Sequence, residues 1–299
     1  MTLQEQIEQQ KKCNDAIAVF DGVAKNTNGR DAFVQGRLPD IFTSPASTFI
    51  PGKADAERLV EYKATAPDGT STAYYGPQLT TFDKDLLLAI CESTKTHEIE
   101  LPTQNTEEFG FQSCTFEASA SQLLRLMGYS TQTKNVRKLK KRLICMQATC
   151  ITVTLPDSKW IERNMSIIAE HNWDTKRQRV NIKLSMQYLR MFLFRDSYPT
   201  YLEMRAKLKS SVARELVSYL MRWKKFRDGE EKIFPLDQVY KSIHWKPLPP
   251  NQKREFETIC EQFKKELGID LEFYPDKRYS RNQWYLRAKR HLCIDVSAA

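Results

Sequence analysis

Hydrophobic and polar positions fall into segments whose period changes along this chain. Residues 1–57 are mostly Gln, Lys, Asn, Thr, Ser, Gly and Pro, and only residues 16–20 and 41–42 break the polarity. This stretch is expected to be a partly ordered arm with one short helix over residues 3–20. From Arg58 the pattern tightens. Two strand-like runs, residues 59–62 and 71–75, flank Ala66-Pro67-Asp68-Gly69, a turn signal. A helix is predicted after Thr80 or Thr81, with Phe82, Leu86, Leu87 and Ile90 on one stripe. Asp83 and Asp85 fall near its start, where carboxylates meet the positive end of the helix dipole.

The next segment reads helix, tight turn, helix, strands. Residues 121–127 form a short apolar helix stopped by Gly128, the favoured residue just past a helix end. A second helix runs to about Gln147, with Val136, Leu139, Leu143 and Ile144 on one face. Residues 151–155 alternate like a half-buried strand, and two more strand-like runs, 165–171 and 179–184, flank a turn around Asn172-Trp173-Asp174. That order describes a helix-turn-helix with a hairpin wing. A long helix over residues 201–223, carried by Leu208, Val212, Leu216, Leu220 and Trp223, is expected to act as a spine.

Behind the spine the order repeats. A short helix at 235–243 is stopped by the Pro-rich run 245–250. Asn251 caps a helix carried by Phe256, Ile259, Cys260, Phe263 and Leu267 and closed by Gly268. Strands at 269–273 and 283–287 flank Pro275-Asp276-Lys277-Arg278. The predicted fold class is α+β: two tandem winged-helix domains joined by a long helix, behind a partly ordered N-terminal arm. The expected division is arm 1–57, first domain 58–198, linking helix 199–223 and second domain 224–299.

Charge adds a functional direction. The net charge is +9 over 299 residues. The first hundred residues hold 10 basic and 15 acidic side chains, the next hundred 15 and 8, and the remainder 21 and 14. Two basic stretches behind an acidic one suggest two surfaces for a polyanion. A helix fits the major groove of DNA, where Arg and Lys read guanine edges or neutralise phosphates. The second helix of the first unit would present Lys134, Arg137, Lys138, Lys141 and Arg142, with no acid between Lys134 and Arg142. An ordinary solvated face would mix signs. In the second unit Lys253, Arg254 and Lys264 alternate with Glu255, Glu257, Glu261 and Glu266, and Lys277, Arg278 and Arg281 cluster at the hairpin tip. These basic side chains are the candidate DNA-binding residues.

Other classes lose ground. No apolar run approaches the roughly 20 residues of a bilayer span, and no basic start leads into an apolar core, so a cytoplasmic protein with no membrane partner is expected. The seven cysteines are odd in number and scattered, without Cys-x-x-Cys, as reduced buried thiols are. No metal and no cofactor is expected. A phosphate-binding Gly-x-x-x-x-Gly-Lys-Ser/Thr loop and a Gly-x-Ser-x-Gly elbow are both missing. Tyr198 and Tyr201 lack the His-x-His or His-x-x-Arg partners of a DNA-joining nucleophile. Asp83-x-Asp85 has the spacing of a two-metal pair, but a helix start favours carboxylates anyway. No enzyme is expected.

Tyr75-Gly76-Pro77-Gln78-Leu79 leading into Asp83-x-Asp85-Leu86-Leu87-Leu88-Ala89 resembles the Gly-x-x-Leu-x-x-x-Asp-x-Asp/Leu segment that opens the first domain of plasmid replication initiators, the TrfA-like and IncQ RepC-like groups closest. The likeness continues through residues 119–127 and the basic helix, 180–184, 212–223 and the winged element 234–287. It covers about residues 58–290, and its motifs match by order and spacing. The resemblance implies two winged-helix domains that bind tandem origin repeats (iterons), help open an adjacent A·T-rich stretch and bring in a replicative helicase. It further implies a homodimer as a possible inactive form. Two other classes fit the same residues: a winged-helix transcriptional repressor, and a scaffold whose winged helices pack on protein rather than DNA.

Overall fold

The computed structural model describes residues 37–39, 49–52, 58–65, 69, 71–93, 115–154, 161–185, 188, 197–199, 201–223, 226, 229–245, 252–275 and 284–291. The expected helix at 3–20 lies outside them. The arm is nonetheless built into the fold near its end. Strand β1 (Arg37–Pro39) pairs antiparallel with residues 197–199. Strand β2 (Phe49–Ile50) runs parallel to residues 79–80, and Phe49 is buried in the first core.

Strands β3 (Leu59–Thr65) and β4 (Ser71–Pro77) form the hairpin that the turn signal at 66–69 predicts. Tyr74 and Thr72 point inward while Tyr75 and Leu59 stay exposed, the period-two alternation of a sheet with one wet face. After β5 (Leu79–Thr80) comes α1 (Thr81–Ser93), nearly all of it buried. Strand β6 (Thr115–Ser119) then leads into α2 (Ala120–Leu126), whose N-cap Ser119 accepts from the Gln122 N–H at 3.1 Å. Gly128, at φ +74°, ends α2. The N–H groups of Gly128 and Tyr129 return to the carbonyls of Arg125 and Leu124 at 2.9 and 2.8 Å, closing the helix end.

Helix α3 (Thr133–Gln147) follows, then β7 (Cys150–Thr154), β8 (Ile161–Met165), β9 (Ile168–Asp174) and β10 (Arg179–Leu184). Strands β3, β4, β7 and β8 form one antiparallel sheet, and β6, β10 and β9, in that order, another. Two expectations shift here. The hairpin turn lies at residues 175–178, beyond the predicted 172–174, because the Asp174 carboxylate accepts from the Lys176 and Arg177 N–H groups (2.9 and 3.0 Å). Ile144 does not join the buried face of α3. Leu139, Leu143 and Met146 hold that face at helical spacing, and Ile144 falls outside it at 58% exposure.

After β11 (Ser197–Pro199) the predicted single helix over 201–223 is two: α4 (Leu202–Lys207) and α5 (Ser211–Leu220). Leu208 is extended and buried, and Ser210 caps the new helix, accepting from the Ala213 N–H. Side chains satisfy the broken backbone: Arg214 Nε donates to the Leu208 carbonyl at 2.8 Å, and Gln262 Oε1 accepts from the Lys209 and Ser210 N–H groups. Nor is α5 a spine. Its Ala213, Leu216, Val217 and Leu220 belong to a second hydrophobic cluster, with Phe234, Val239, Phe256, Phe263, Ile269 and Leu286. Those residues come from β12 (Lys232–Pro235), α6 (Leu236–Ile243), α7 (Gln252–Leu267), β13 (Ile269–Pro275) and β14 (Trp284–Arg290).

Elements in a similar order frame the two hydrophobic clusters. The first core is framed by α1-β6-α2-α3-β9-β10 with sheet order β6-β10-β9, and the second by α5-β12-α6-α7-β13-β14 with sheet order β12-β14-β13. Around each cluster the order is helix, strand, helix, helix, hairpin. Strands β7 and β8 are an insertion between α3 and β9 that extends the β3–β4 hairpin.

Candidate nucleic-acid interface

Lys134, Arg137, Lys138 and Lys141 occupy positions i, i+3, i+4 and i+7 of α3, and all four are exposed. That spacing places them on one stripe about two turns long, roughly 10 Å from end to end. The stripe exists because the opposite face is taken up by Leu139, Leu143 and Met146 in the first core. The turn entering α3 is fixed by Asn135, whose amide donates to the Ser130 carbonyl at 2.7 Å and approaches its hydroxyl at 3.0 Å.

Two lysines are positioned by aromatic rings. Lys138 Nζ sits 4.1 Å from the centre of the Phe82 ring, and partial burial lowers its ammonium pKa below the ordinary value. Lys140 Nζ lies 4.3 Å from the Trp173 ring, which braces α3 against β9. The hairpin beside the helix carries exposed Lys176, Arg177 and Arg179 at its tip, Arg179 pairing with Glu117 at 3.0 Å. These three lie outside the basic residues expected from the sequence to contact DNA. Their signal is the run Lys176-Arg177-Gln178-Arg179, which a turn at 172–174 leaves beyond the hairpin tip.

Arg142 does not belong to this face. It is 2% exposed, and its guanidinium is committed to the Asp83 carboxylate, through Nε at 2.5 Å and also through Nη2, and to the Gln78 carbonyl at 2.8 Å. At i+4 from Lys138 and next to Leu143, it turns inward with the core side of the helix. The candidate DNA contact at Arg142 is thereby withdrawn.

The same observation settles what Asp83 and Asp85 do. Asp83 also accepts from the Thr80 N–H at 2.7 Å, reaching back to the helix start as its position predicts. Asp85 accepts from Arg205 Nε at 2.6 Å and Arg214 Nη1 at 2.5 Å. Both carboxylates are fully buried against arginines, and no cluster of metal-ligating side chains occurs among the described residues. The described cysteines, Cys91, Cys145, Cys150 and Cys260, form no disulfide.

In the second unit Lys253, Arg254 and Lys264 are exposed on α7. Lys253 and Lys264 are eleven residues apart and share a face, but Lys253 lies 3.9 Å from Glu257 and Lys264 3.7 Å from Asp270. This surface mixes signs where that of α3 does not. Lys277, Arg278 and Arg281 lie outside the described residues. No helix among those described is long and apolar enough to cross a membrane.

No family model matches the chain, and no curated protein matches it. Solved structures do. Domains 2 and 3 of RctB align with a TM-score of 0.59 at 9% identity, over 85% of this chain and 99% of that one. A second structure of RctB domains 2–3 aligns at 0.48 with 10% identity, over 81% and 94%. The Pi initiator protein in complex with iteron DNA aligns at 0.46 with 12% identity, over 60% and 82%. The chain thus shares its fold with domains 2 and 3 of RctB.

Proposed function

We propose that this chain is a plasmid DNA replication initiator. In this reading two tandem winged-helix domains bind origin repeats sequence-specifically, promote opening of the adjacent A·T-rich DNA and recruit a replicative helicase. The observation that carries the reading is the acid-free stripe Lys134, Arg137, Lys138 and Lys141 on the exposed face of a helix whose other face is locked in a core. The doubled order of helix, strand, helix, helix and hairpin supports it, as does the residue pattern shared with replication initiators. The first domain centres on α1–β10, the second on α5–β14.

The mechanism is positional. Helix α3 enters the major groove and the 175–178 turn lies along the neighbouring backbone, so Arg137 reads a base edge while Lys176 and Arg177 neutralise phosphates. In the second domain Lys253, Arg254 and Lys264 contribute mainly backbone contacts, because Glu257 and Glu261 on the same helix repel phosphate. Binding through both domains links their affinities, since the second docks at high effective concentration once the first is bound. Distorting the DNA for opening costs on the order of 1–6 kcal/mol, which contacts among arrayed protomers offset. The chain's own chemistry ends there. No bond is made or broken, and the helicase and a second copy of the chain act as further partners.

A fluorescence-anisotropy titration tests this reading, using a duplex of the origin repeat this reading requires and a scrambled duplex, each at two salt concentrations. Repeat-selective binding is expected, with a log–log salt slope near −5 for roughly six phosphate contacts. Equal, weak and salt-insensitive binding to both duplexes would favour a protein-binding scaffold and remove the initiator reading.

A further inference from the structure

Five charged side chains, none of them on the DNA-facing stripe, are buried where α1 meets α4 and α5. Asp85 from α1 accepts from Arg205 of α4 and Arg214 of α5. Glu215 of α5 accepts from Arg205 Nη2 at 2.9 Å and from Lys84 Nζ, back on α1, at 2.6 Å. Arg205 Nη1 donates to the Ser218 hydroxyl and the Arg214 carbonyl, both at 2.7 Å. Arg214 Nη1 also donates to the Met127 carbonyl at 2.8 Å, at the end of α2 that leads into the reading helix. Its guanidinium lies 4.6 Å from the centre of the Tyr129 ring. Alpha-helices 1 and 2 belong to the first core and α5 to the second, so the ions join the two units.

We infer that this buried ionic junction sets the separation and helical phase of the two DNA-reading elements, so that the protein takes a bipartite double-stranded site of one spacing. The inference rests on the DNA-binding reading above and specifies the substrate of the same site. A polar, solvated linker would let two domains search many spacings. Here α1, α4 and α5 are held together by buried donors and acceptors that water cannot replace. Any rotation of α5 against α1 strips buried guanidinium or carboxylate groups of partners, which is far costlier than in water. The backbone leaves no slack either. A Cβ on Gly128 would stand 2.1 Å from the Ala206 carbonyl oxygen, so the turn between α2 and α3 rests directly on α4. The Tyr129 ring continues the contact between Phe82 and Arg214, and Lys138 of the reading helix shares the Phe82 ring. Side chains packed in this way pass from the junction to the stripe without a flexible element between.

Lys84, Arg205, Arg214, Asp85 and Glu215 are positioning residues in this account, and preferred spacing is a readout that a merely structural role would not move. The experiment measures affinity for a duplex carrying both half-sites at native spacing, for duplexes with two or five inserted base pairs, and for each half-site alone. Two inserted pairs turn the second half-site by about 70° and shift it by about 7 Å. The wild type is expected to lose affinity about tenfold or more on that insertion, falling toward its single half-site value. Arg214→Lys keeps the charge but cannot reach Asp85, Met127 and Leu208 together. It is expected to cut the spacing penalty about threefold while binding the single half-sites as the wild type does. Glu215→Gln provides a second, isosteric variant that should move the penalty in the same direction. A wild type indifferent to the insertions, or folded variants that keep the full penalty, overturns the inference. Failure to bind even the native-spacing duplex instead overturns the DNA-binding reading, so the two failures are told apart.

Discussion

Replacing Asp85 by Asn perturbs the least exposed part of the junction by a single atom exchange. The carboxylate is 0% exposed and uses one oxygen for Arg205 and the other for Arg214. Asparagine keeps one acceptor and aims an NH2 group at the other guanidinium. The lost charge-assisted bond is worth about 1.5–3 kcal/mol. Arg214 then loses its carboxylate partner while Lys84 and Arg205 keep Glu215, and breaking a buried pair this way costs about 3–5 kcal/mol in total. For a chain of this size that corresponds to a fall in Tm on the order of 10 °C. Urea unfolding followed by tryptophan fluorescence reads it, because Trp173 packs on the first core and Trp245 on the second. A metal-binding role for Asp83-x-Asp85 predicts the opposite sign, since removing one of two repelling carboxylates would stabilise the metal-free protein. A loss below about 1 kcal/mol, or a gain, would refute the reasoning.

Three more expectations follow from the same geometry. Arg137→Ala should weaken binding to the repeat by about 1–3 kcal/mol without changing stability, whereas Arg142→Ala should lower the urea midpoint by orphaning Asp83; equal effects of the two on stability would undo the distinction. Gly128→Ala should destabilise more than Gly268→Ala, because both hold positive φ (+74° and +62°) but only the former meets a backbone carbonyl, and thermal unfolding of the pair would show it. The Arg205 guanidinium and Lys84 ammonium outweigh burial and hold the Glu215 carboxyl at about 2, below its ordinary 4.5. A carboxylate depressed in the folded state stabilises fully above its unfolded value and loses that contribution as pH falls through the interval, here about 3 kcal/mol between roughly pH 5 and 2. Urea midpoints measured from pH 7 down to 3 should therefore fall more steeply in the wild type than in Glu215→Gln, and parallel slopes would contradict this.

Much of the architecture was legible because it is written in short periods. The apolar spacing of residues 136–146 and 256–267 places both long helices, and Gly128 and Gly268 mark their surroundings as chain-reversal signals do. What escaped is non-local. Strands β6 and β12 are five and four residues long, too short to announce themselves, and are defined by pairing with β10 and β14 far along the chain. The break between α4 and α5 follows an unbroken apolar spacing. Ser210 offers a local cap, but the break is completed by Arg214 and by Gln262, 52 residues on, capturing the backbone at 208–210, which the apolar spacing does not show. Arg142 looked like its neighbours Lys138 and Lys141 because charge alone does not tell which side of a helix a residue takes. Its partner Asp83 lies 59 positions earlier. At the candidate site, the stripe itself was readable from composition and spacing, while the basic hairpin tip depended on a turn position fixed by the Asp174 side chain.

The most direct test of the DNA-reading surface is ultraviolet cross-linking of the protein to a repeat duplex carrying 5-iododeoxyuridine at its thymine positions, with the modified peptides located by mass spectrometry. The account predicts cross-links concentrated in residues 134–144 and 175–179, lost when Lys134, Arg137 and Lys141 are replaced by Glu in a variant that still folds. Cross-links that instead map to the outer face of the β3–β4 sheet, and survive the charge reversal, would contradict it.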